Sequence, residues 1–245
     1  MPLLEAKNLA QSFDGQKIIK DVSIELDKNE IVSLIGTSGV GKTTLFQILS
    51  GLHKPTVGEI YLEGENITGQ PGKISYMLQK DLLLPYRTIE DNIALPLIIQ
   101  GERKKYARKK IQPYFEEFGL EGTQKKFPSQ LSGGMRQRAA LLRTYMYSHN
   151  VVLLDEPFSA LDAITKHEMH KWYLNIVKKV NLSTIFVTHD INEAIYLSDR
   201  VYVMAGKPGT MIKEIKVIRT TENRDEFSVS PKFLEYKKML LDFLE

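Results

Sequence analysis

The sequence has no cysteine, a single tryptophan and no long apolar run among its 245 residues. The absence of cysteine excludes disulfide staples and fits a reducing compartment. Apolar runs such as residues 151–154 fall far short of the roughly 20 residues that cross a bilayer. Because 42% of the residues are hydrophobic, the chain can nevertheless bury a sizeable core.

The sequence also lacks a strong excess of one charge, since 33 Lys and Arg residues stand against 30 Asp and Glu residues and leave a net charge of +3. No basic motif with interleaved aromatic residues is found, so nucleic acid is not an expected partner. The charged stretch 102–110 is interpreted as a solvated helix face rather than a binding patch.

A glycine-rich loop is the first motif that carries chemistry. Residues 31–35 read as a buried strand, and residues 43–50 have apolar positions at helical spacing. The loop between them has the pattern GxxxxGKT and extends into a further threonine: Gly36, Thr37, Ser38, Gly39, Val40, Gly41, Lys42, Thr43 and Thr44. Glycines let backbone N–H groups point at phosphates, the lysine adds a point charge, and the hydroxyl of Thr43 can bind Mg²⁺. A nucleoside triphosphate site is therefore predicted.

Two acidic residues stand at the end of a second buried strand, predicted over residues 151–155. Asp155 ends this strand, where a P-loop protein commonly has the acidic partner of Mg²⁺. Glu156 comes next, where a carboxylate could orient or deprotonate an attacking water molecule.

The segment LSGGMRQR, residues 131–138, is the third motif. Ser132 can cap a helix that begins near Gly133, and Gly133 and Gly134 allow backbone N–H groups to approach a phosphate. A hydroxyl and a helix N-terminus presented together favour an anionic ligand.

Strand-like alternation over residues 22–26 and 59–62 predicts an antiparallel layer near the N-terminus. Residues 183–187 and 200–204 read as further buried strands, and residues 88–148 as mostly helical. Strands that alternate with helices predict an α/β fold with a mainly parallel sheet and helices on both faces.

Along the chain the glycine-rich loop comes first, LSGGMRQR second and the acidic pair third, and this order and combination closely resemble the ATP-binding cassette (ABC) ATPases. The resemblance extends from Leu4 to about Val217. It implies a RecA-like P-loop NTPase core, an N-terminal antiparallel β subdomain and an inserted helical subdomain. The expected organisation is one nucleotide-binding domain over residues 1–245, with the helical subdomain at about 88–148 and a C-terminal helical tail at about 218–245.

The resemblance also implies residue roles in binding and hydrolysing MgATP. Glu156 is the expected catalytic base, His189 the switch histidine, and Gln79 the Q-loop glutamine. Thr43, Gln79 and Asp155 are the expected Mg²⁺ ligands. The signature residues Ser132, Gly133 and Gly134 would contact the ATP of a second copy, and Asp162 of the D-loop would lie at that interface. Phe13 would stack on adenine, with a core phenylalanine as the alternative.

Segments 83–92, 156–162 and 206–209 resemble the bacterial importers of nitrate, sulfonates, taurine and thiamine precursors. This implies an energy-coupling subunit that forms an ATP-dependent homodimer at the cytoplasmic face of the membrane. Its partners would be a transmembrane permease and, indirectly, an extracytoplasmic solute-binding protein. The alternatives are the ATPase of an exporter or lipoprotein-release system, and a non-transport cassette.

Apolar residues beside Gln79 are open to two interpretations. Leu83, Leu84 and Tyr86 either pack inside the helical subdomain or line a groove for the permease, and the resemblance favours the groove. His167 and His170 are interpreted as members of a solvated helix face rather than a metal site. Trp172 is expected to pack between its helix and the sheet.

Overall fold

The computed structural model describes residues 1–147 and 150–244, which form two compact units. Unit 1 comprises Met1–Ile74 and Ser183–Glu245, and unit 2 comprises Ser75–Leu182. The predicted helical subdomain and C-terminal tail end at Ser148 and Glu245, which lie outside the described residues.

The strands, in chain order, are β1 (Leu4–Phe13), β2 (Gln16–Leu26), β3 (Ile31–Gly36), β4 (Val57–Leu62), β5 (Glu65–Asn66), β6 (Ser75–Met77), β7 (Val151–Asp155), β8 (Ser183–Val187), β9 (Arg200–Ala205) and β10 (Thr210–Lys216). The helices are α1 (Lys42–Leu49), α2 (Ile89–Ile93), α3 (Leu95–Ile99), α4 (Lys104–Glu117), α5 (Gly133–Tyr145), α6 (Ala163–Val180), α7 (Ile191–Leu197), α8 (Arg224–Ser228) and α9 (Pro231–Leu244), and a 3₁₀ turn covers Pro128–Gln130.

Unit 1 contains an antiparallel sheet in the order β2-β1-β4-β5. Its strands alternate buried and exposed residues because only one face packs on a core; in β2, for example, Val22, Ile24 and Leu26 are buried between exposed neighbours. The sequence predicted parts of β2 and β4. The structure extends β2 to 11 residues and pairs Leu4 of β1 with Leu26 of β2 and with Leu62 of β4.

A second group of strands in unit 1 is parallel. Strand β3 lies between β8 and β9, and Leu34 pairs with both Val187 and Tyr202. All five residues of β8 are buried, which fits a parallel sheet covered on both faces. Strand β10 adds an antiparallel edge to β9.

Helix α1 follows β3 directly and fixes the loop between them. Its apolar side chains, Leu45, Phe46, Ile48 and Leu49, are buried, and each contributes about 1.5–3 kcal/mol relative to an exposed side chain. The helix stops where Gly51 takes a left-handed backbone with φ of 76° and its N–H donates to the Ile48 carbonyl.

Unit 2 combines the parallel pair β6 and β7 with helices α2–α6. Helix α5 begins at Gly133, as predicted, and the Ser132 hydroxyl caps it by accepting from the N–H of Met135. Strand β7 has the predicted bounds, and its five residues are all buried.

Within residues 1–147 and 150–244, no helix is long and apolar enough to cross a membrane. The predicted α/β class is confirmed, since buried parallel strands, an antiparallel sheet and helices are all present. The burial of His170, however, corrects one expectation. Its side chain is 7% exposed and packs edge-on against Phe158, with ring centroids 4.9 Å apart, so it is not part of a solvated face.

Candidate functional site: a phosphate-binding loop, a carboxylate pair and a glycine-led helix

The loop between β3 and α1 curls through glycines with left-handed backbones. Gly39 and Gly41 have φ values of 78° and 108°, which side chains with a Cβ rarely adopt. At Gly36, a Cβ would lie 2.3 Å from the Met204 carbonyl oxygen, so only glycine fits there. Because Gly41 offers no side chain to cap α1, the first-turn N–H groups face outward at the positive end of the helix.

The Lys42 side chain folds back onto this loop. Its ammonium Nζ donates to the Gly36 carbonyl at 2.8 Å and to the Thr37 carbonyl at 3.0 Å. The cation is thereby held over the curled backbone, where the sequence analysis expected the phosphates.

The remaining residues of the loop divide by exposure. Thr37, Ser38 and Thr43 are exposed and Thr44 is half-buried, so their hydroxyls can be reached from solvent. Val40 is 2% exposed, and its contribution to a ligand is therefore limited to its backbone. The loop is supported from behind by the turn between β9 and β10, where a Cβ on Gly209 would lie 1.9 Å from the Val40 carbonyl oxygen.

His189 follows β8 at the same edge of the parallel strands. Since Leu34 pairs with Val187, the carboxyl ends of β3 and β8 lie side by side. The N–H of Asp190 donates to the Thr188 hydroxyl at 3.0 Å, and Asp190 caps α7. These bonds fix the backbone on both sides of the exposed His189 and leave it at the edge where β3 enters the phosphate-binding loop.

Phe13 ends β1 with 40% of its surface exposed. Its ring meets His53 edge-on, with centroids 5.7 Å apart. An accessible ring of this kind can stack on a flat base, and the alternative of a core phenylalanine is wrong.

In unit 2 the predicted acidic pair meets Gln79. Strands β6 and β7 are parallel with Met77 beside Leu154, so both chains leave the sheet at one edge. The amide Nε2 of Gln79 donates to the Glu156 Oε2 at 3.0 Å. This bond holds one carboxylate oxygen of Glu156 in a defined position.

Glu156 has an unusual backbone. Its φ is 46°, in the left-handed region where a residue with a Cβ costs about 1–3 kcal/mol. The conformation is held by the following turn, because both the N–H and the hydroxyl of Ser159 donate to the Glu156 carbonyl. Such local strain concentrates at functional positions.

Asp155 has a neighbour that the sequence analysis missed. The hydroxyl of Tyr76 donates to the Asp155 Oδ2 at 3.1 Å, and Asp155 is only 8% exposed. Burial, together with the negative charge of Asp155, raises the pKa of Tyr76 well above its ordinary value, so the phenol stays a donor. The available signal was strand alternation, which turns Tyr76 away from the buried faces of Ser75 and Met77.

The start of α5 borders an open cleft of about 450 Å³ within unit 2. Ser132 is exposed at its edge, and Gly133 and Gly134 face the D-loop and α6: their added Cβ atoms would lie 3.4 Å from Leu161 and 3.5 Å from Met169. Ser132 is exposed and Gly133 half-buried, whereas Gly134 is buried, so the helix start is open to solvent at Ser132 and Gly133.

Asp162 lies on the opposite wall of this cleft and caps α6, accepting from the N–H groups of Ile164 and Thr165. The hydrogen bonds with Thr165 lower the pKa of its carboxyl below the ordinary value. Its observed contacts are those of a helix cap, and its contact with a nucleotide stays a prediction.

The apolar residues beside Gln79 split between surface and interior. Leu84 is 38% exposed and Tyr86 is 93% exposed, whereas Leu83 is 7% exposed. The expectation that Leu83 lines a surface groove is therefore wrong, because its side chain is part of the interior of unit 2. Among the described residues, no group of three or more His, Asp or Glu side chains is arranged to hold a metal ion.

Trp172 packs against side chains from the helical part of unit 2. Its ring meets Phe118 edge-on at 5.9 Å and has the Arg138 guanidinium 5.0 Å from its centroid.

Known proteins share this arrangement of motifs. The family model described as ABC transporter matches residues 19–159, more than half of the chain. Over 216 residues the chain is 42% identical to the formylaminopyrimidine import ATP-binding protein ThiZ of Halalkalibacterium halodurans, covering 85% of this chain and 84% of that protein. Over 229 residues it is 40% identical to the aliphatic sulfonates import ATP-binding protein SsuB of Bacillus cereus, covering 94% and 89%.

A solved structure is similar as well. It is the dimeric ATP-binding cassette MJ0796 in a post-hydrolysis state bound to ADP and Pi, at 28% identity and a TM-score of 0.72, covering 88% of this chain and 99% of that one. The chain therefore belongs to the ABC transporter family, as the ATP-binding and ATP-hydrolysing cassette of such a transporter.

Proposed function

We propose that this ATPase is the energy-coupling subunit of an importer for small anionic or heterocyclic solutes, in the class of sulfonates, nitrate and thiamine precursors. The import proteins ThiZ and SsuB support this, because each aligns with more than four fifths of the chain. Segments 83–92, 156–162 and 206–209 support the same group.

The phosphate-binding loop of unit 1 holds the triphosphate of ATP. The N–H groups around Gly39 and Gly41 bind phosphate oxygens, and Lys42 exchanges its two carbonyl partners for the β- and γ-phosphates. Phe13 stacks on the adenine. His189, at the edge beside this loop, contacts the γ-phosphate.

Magnesium binds oxygen ligands, and the expected set fits that preference. Thr43 supplies a hydroxyl, Gln79 an amide oxygen and Asp155 a carboxylate. Mg²⁺ neutralises charge that develops on the phosphates. The Tyr76 hydroxyl holds Asp155 in orientation from behind.

Glu156 is the general base for the attacking water. Its Oε2 accepts from Gln79, and a carboxylate held at this position takes the proton of the attacking water. The turn at Ser159 fixes the Glu156 backbone, so the carboxylate is positioned before water binds.

Two copies of the chain close on ATP. Ser132, Gly133 and Gly134 of one copy present a hydroxyl and a helix N-terminus to the γ-phosphate held by the other copy. The open cleft beside α5 is lined by these residues, and Ser132 is exposed in it. Asp162 belongs to the loop that crosses the interface, and hydrolysis removes the anion that joins the copies.

The cassette is held at the cytoplasmic face of the membrane by its permease, and an extracytoplasmic solute-binding protein acts through that permease. Residues 88–148 act as the helical subdomain that carries the signature residues. The exposed Leu84 and Tyr86 contact the permease, and residues 218–245 form the C-terminal tail.

The hydrogen bond between Gln79 and Glu156 carries this proposal, because it joins the Q-loop residue to the expected base within one unit. The Glu156→Gln variant should bind MgATP, lose about 10²–10⁴-fold in hydrolysis rate and accumulate as a dimer in sizing experiments. Glu121→Gln, which changes an exposed carboxylate of the same unit, is the control and should hydrolyse normally. A Glu156→Gln variant that hydrolyses at the wild-type rate, or stays monomeric with MgATP, would contradict the mechanism.

The solute class is tested in cells that lack the gene for this chain. Uptake of labelled alkane sulfonate, nitrate and formylaminopyrimidine should be measured separately, with the Glu156→Gln gene as the inactive control. Loss of uptake for one solute confirms the class. Normal uptake of all three, with outward transport affected instead, would favour the exporter alternative.

A further inference from the structure

Two arginines of helix α5, which begins with the signature glycines, bind residues 81–86, the segment that follows Gln79. The guanidinium of Arg143 donates to the Leu82 carbonyl at 2.7 Å and to the Asp81 carbonyl at 2.6 Å. About two turns earlier on the helix, the Arg136 Nε lies 3.4 Å from the Asp81 carboxylate. Two successive backbone groups and one side chain of the segment are therefore bound to a single helix.

The far end of the segment is held by Asn92 of α2. Its Oδ1 accepts from the N–H of Leu84 at 2.6 Å, and its Nδ2 donates to the carbonyls of Leu84, Arg87 and Thr88 at 3.0–3.1 Å. Asn92 is fully buried, so these bonds are shielded from water. Segment 81–86 is thus irregular in shape and yet fixed at both ends.

The exposed tips of the segment are apolar. Leu82, Leu84 and Tyr86 are 50%, 38% and 93% exposed, and Leu82 has a left-handed φ of 45°. A bulky residue rarely adopts this backbone, and here the Leu82 carbonyl is the group that Arg143 binds. The arginine therefore stabilises the conformation that turns this side chain outward.

Arg143 is well suited to this contact. Its planar guanidinium donates to two acceptors at fixed geometry, which a lysine ammonium does not reproduce. Burial lowers the pKa of its guanidinium from the ordinary value, and the nearby Asp81 charge opposes that shift. Both acceptors are neutral carbonyls, so the contact fixes shape more than it neutralises charge.

We propose that Arg143, assisted by Arg136, is a positioning residue that makes segment 81–86 and helix α5 move as one body. A displacement of the segment by the permease then reaches Gly133 at the other end of the helix, ten residues and about 15 Å away. The inference rests on the proposed function, because it needs the permease at the segment and the partner ATP at Ser132.

A purely structural role for Arg143 predicts a different result. Losing it would then lower stability and every activity together. Coupling predicts a selective loss: the isolated subunit hydrolyses ATP normally and the complex assembles, but the permease no longer stimulates hydrolysis.

The first test uses the transporter complex reconstituted in liposomes, with the ratio of its hydrolysis rate to that of the isolated subunit as the readout. In Arg143→Met this ratio should fall about fivefold or more, while basal hydrolysis and co-purification with the permease persist. Arg143→Lys should restore only part of the ratio. Arg108→Met is the matched control, because it removes an ion pair with Asp91 in the same unit and leaves the segment untouched.

An unchanged ratio in Arg143→Met overturns the proposal, and so does loss of co-purification, which would make the arginine only a support for docking. A wild-type complex that shows no stimulation contradicts the proposed function itself, and the inference falls with it.

The second test holds even if Arg143→Met does not fold. Because the chain has no cysteine, the double variant Asp81→Cys and Arg136→Cys offers a single thiol pair to a short cross-linker. Linking the segment to α5 should leave stimulation by the permease intact. If the cross-link abolishes stimulation in a complex that still assembles, the two parts must separate during the cycle and the proposal is wrong.

Discussion

At the scale of single residues, Asp155 at the end of β7 and Glu156 just after it differ in burial and in hydrogen-bond partner. Asp155 is buried and accepts from Tyr76, whereas Glu156 is half-buried and accepts from Gln79. A buried carboxylate held by a phenol is suited to a metal, and a more accessible one to water. Adjacent residues of the same charge thus have different proposed tasks because strand alternation and the left-handed Glu156 backbone point them apart.

The Tyr76→Phe variant tests the task of Asp155. Loss of the hydroxyl should leave the carboxylate less well oriented and raise the Mg²⁺ concentration needed for half-maximal ATP hydrolysis by about tenfold. The rate at saturating Mg²⁺ should approach that of the wild type. Tyr61→Phe is the matched control, since the Tyr61 hydroxyl also donates to a carboxylate, Glu59, in the antiparallel sheet. An equal effect in both variants would exclude a specific role for Tyr76.

At the scale of secondary-structure elements, the start of α5 combines two requirements. A helix that begins with Gly133 and Gly134 has weak intrinsic propensity, so it depends on the Ser132 cap and on packing. Gly133 and Gly134 lie beside Leu161 of the D-loop and Met169 of α6. The glycine start that weakens the helix also borders the open cleft, at a helix N-terminus that favours a phosphate.

The Ser132→Ala variant separates capping from binding. Thr88 caps α2 in the same unit with the same 3.3 Å distance from its hydroxyl to a backbone N–H, so Thr88→Ala is the matched control. Both variants should lose about 1 kcal/mol of unfolding free energy in thermal denaturation. In the Glu156→Gln background, ATP-dependent dimerisation should weaken only when Ser132 is also replaced. Equal dimerisation in both would assign Ser132 to capping alone.

At the scale of the whole molecule, segment 81–86 forms part of the surface, although exposed and buried side chains alternate along it. Leu83 is buried between the exposed Leu82 and Leu84, and Tyr86 is almost fully exposed. Single exposed apolar residues are common on protein surfaces, but a fixed cluster of them beside a functional loop is typical of a binding surface. This cluster is the proposed contact with the permease.

Substituting Leu84 or Tyr86 by Asp tests that contact. Because both side chains are exposed, the free energy of unfolding of the isolated subunit should stay within about 0.5 kcal/mol of the wild-type value. The variants should still bind ATP. Co-purification with the permease should be lost. Leu241→Asp is the matched control, since Leu241 on α9 is 40% exposed compared with 38% for Leu84, and it should assemble normally. Unfolding of the Leu84 or Tyr86 variants on their own would show that these residues support the core.

The sequence by itself determined the chemistry that depends on local pattern. The spacing of glycines around Lys42 specified a phosphate-binding loop, because glycine adopts the left-handed backbone found at Gly39 and Gly41 far more readily than residues with a Cβ. The bounds of β7 were predicted correctly because a short apolar run that ends in an acidic residue is typical of a buried parallel strand. In the same way, apolar residues at every second position predicted the antiparallel layer, and apolar residues at helical spacing predicted the helix after the loop.

The tertiary structure decided what depends on residues distant along the chain. Tyr76 and Asp155 are 79 residues apart, and Arg143 and Leu82 are 61 apart, so no local pattern could pair them. The burial of Leu83 between two exposed leucines likewise follows from the bonds that Arg143 and Asn92 make to the backbone, and not from apolar character, which all three leucines share. Residue type and spacing define which groups are available, whereas packing decides which of them meet.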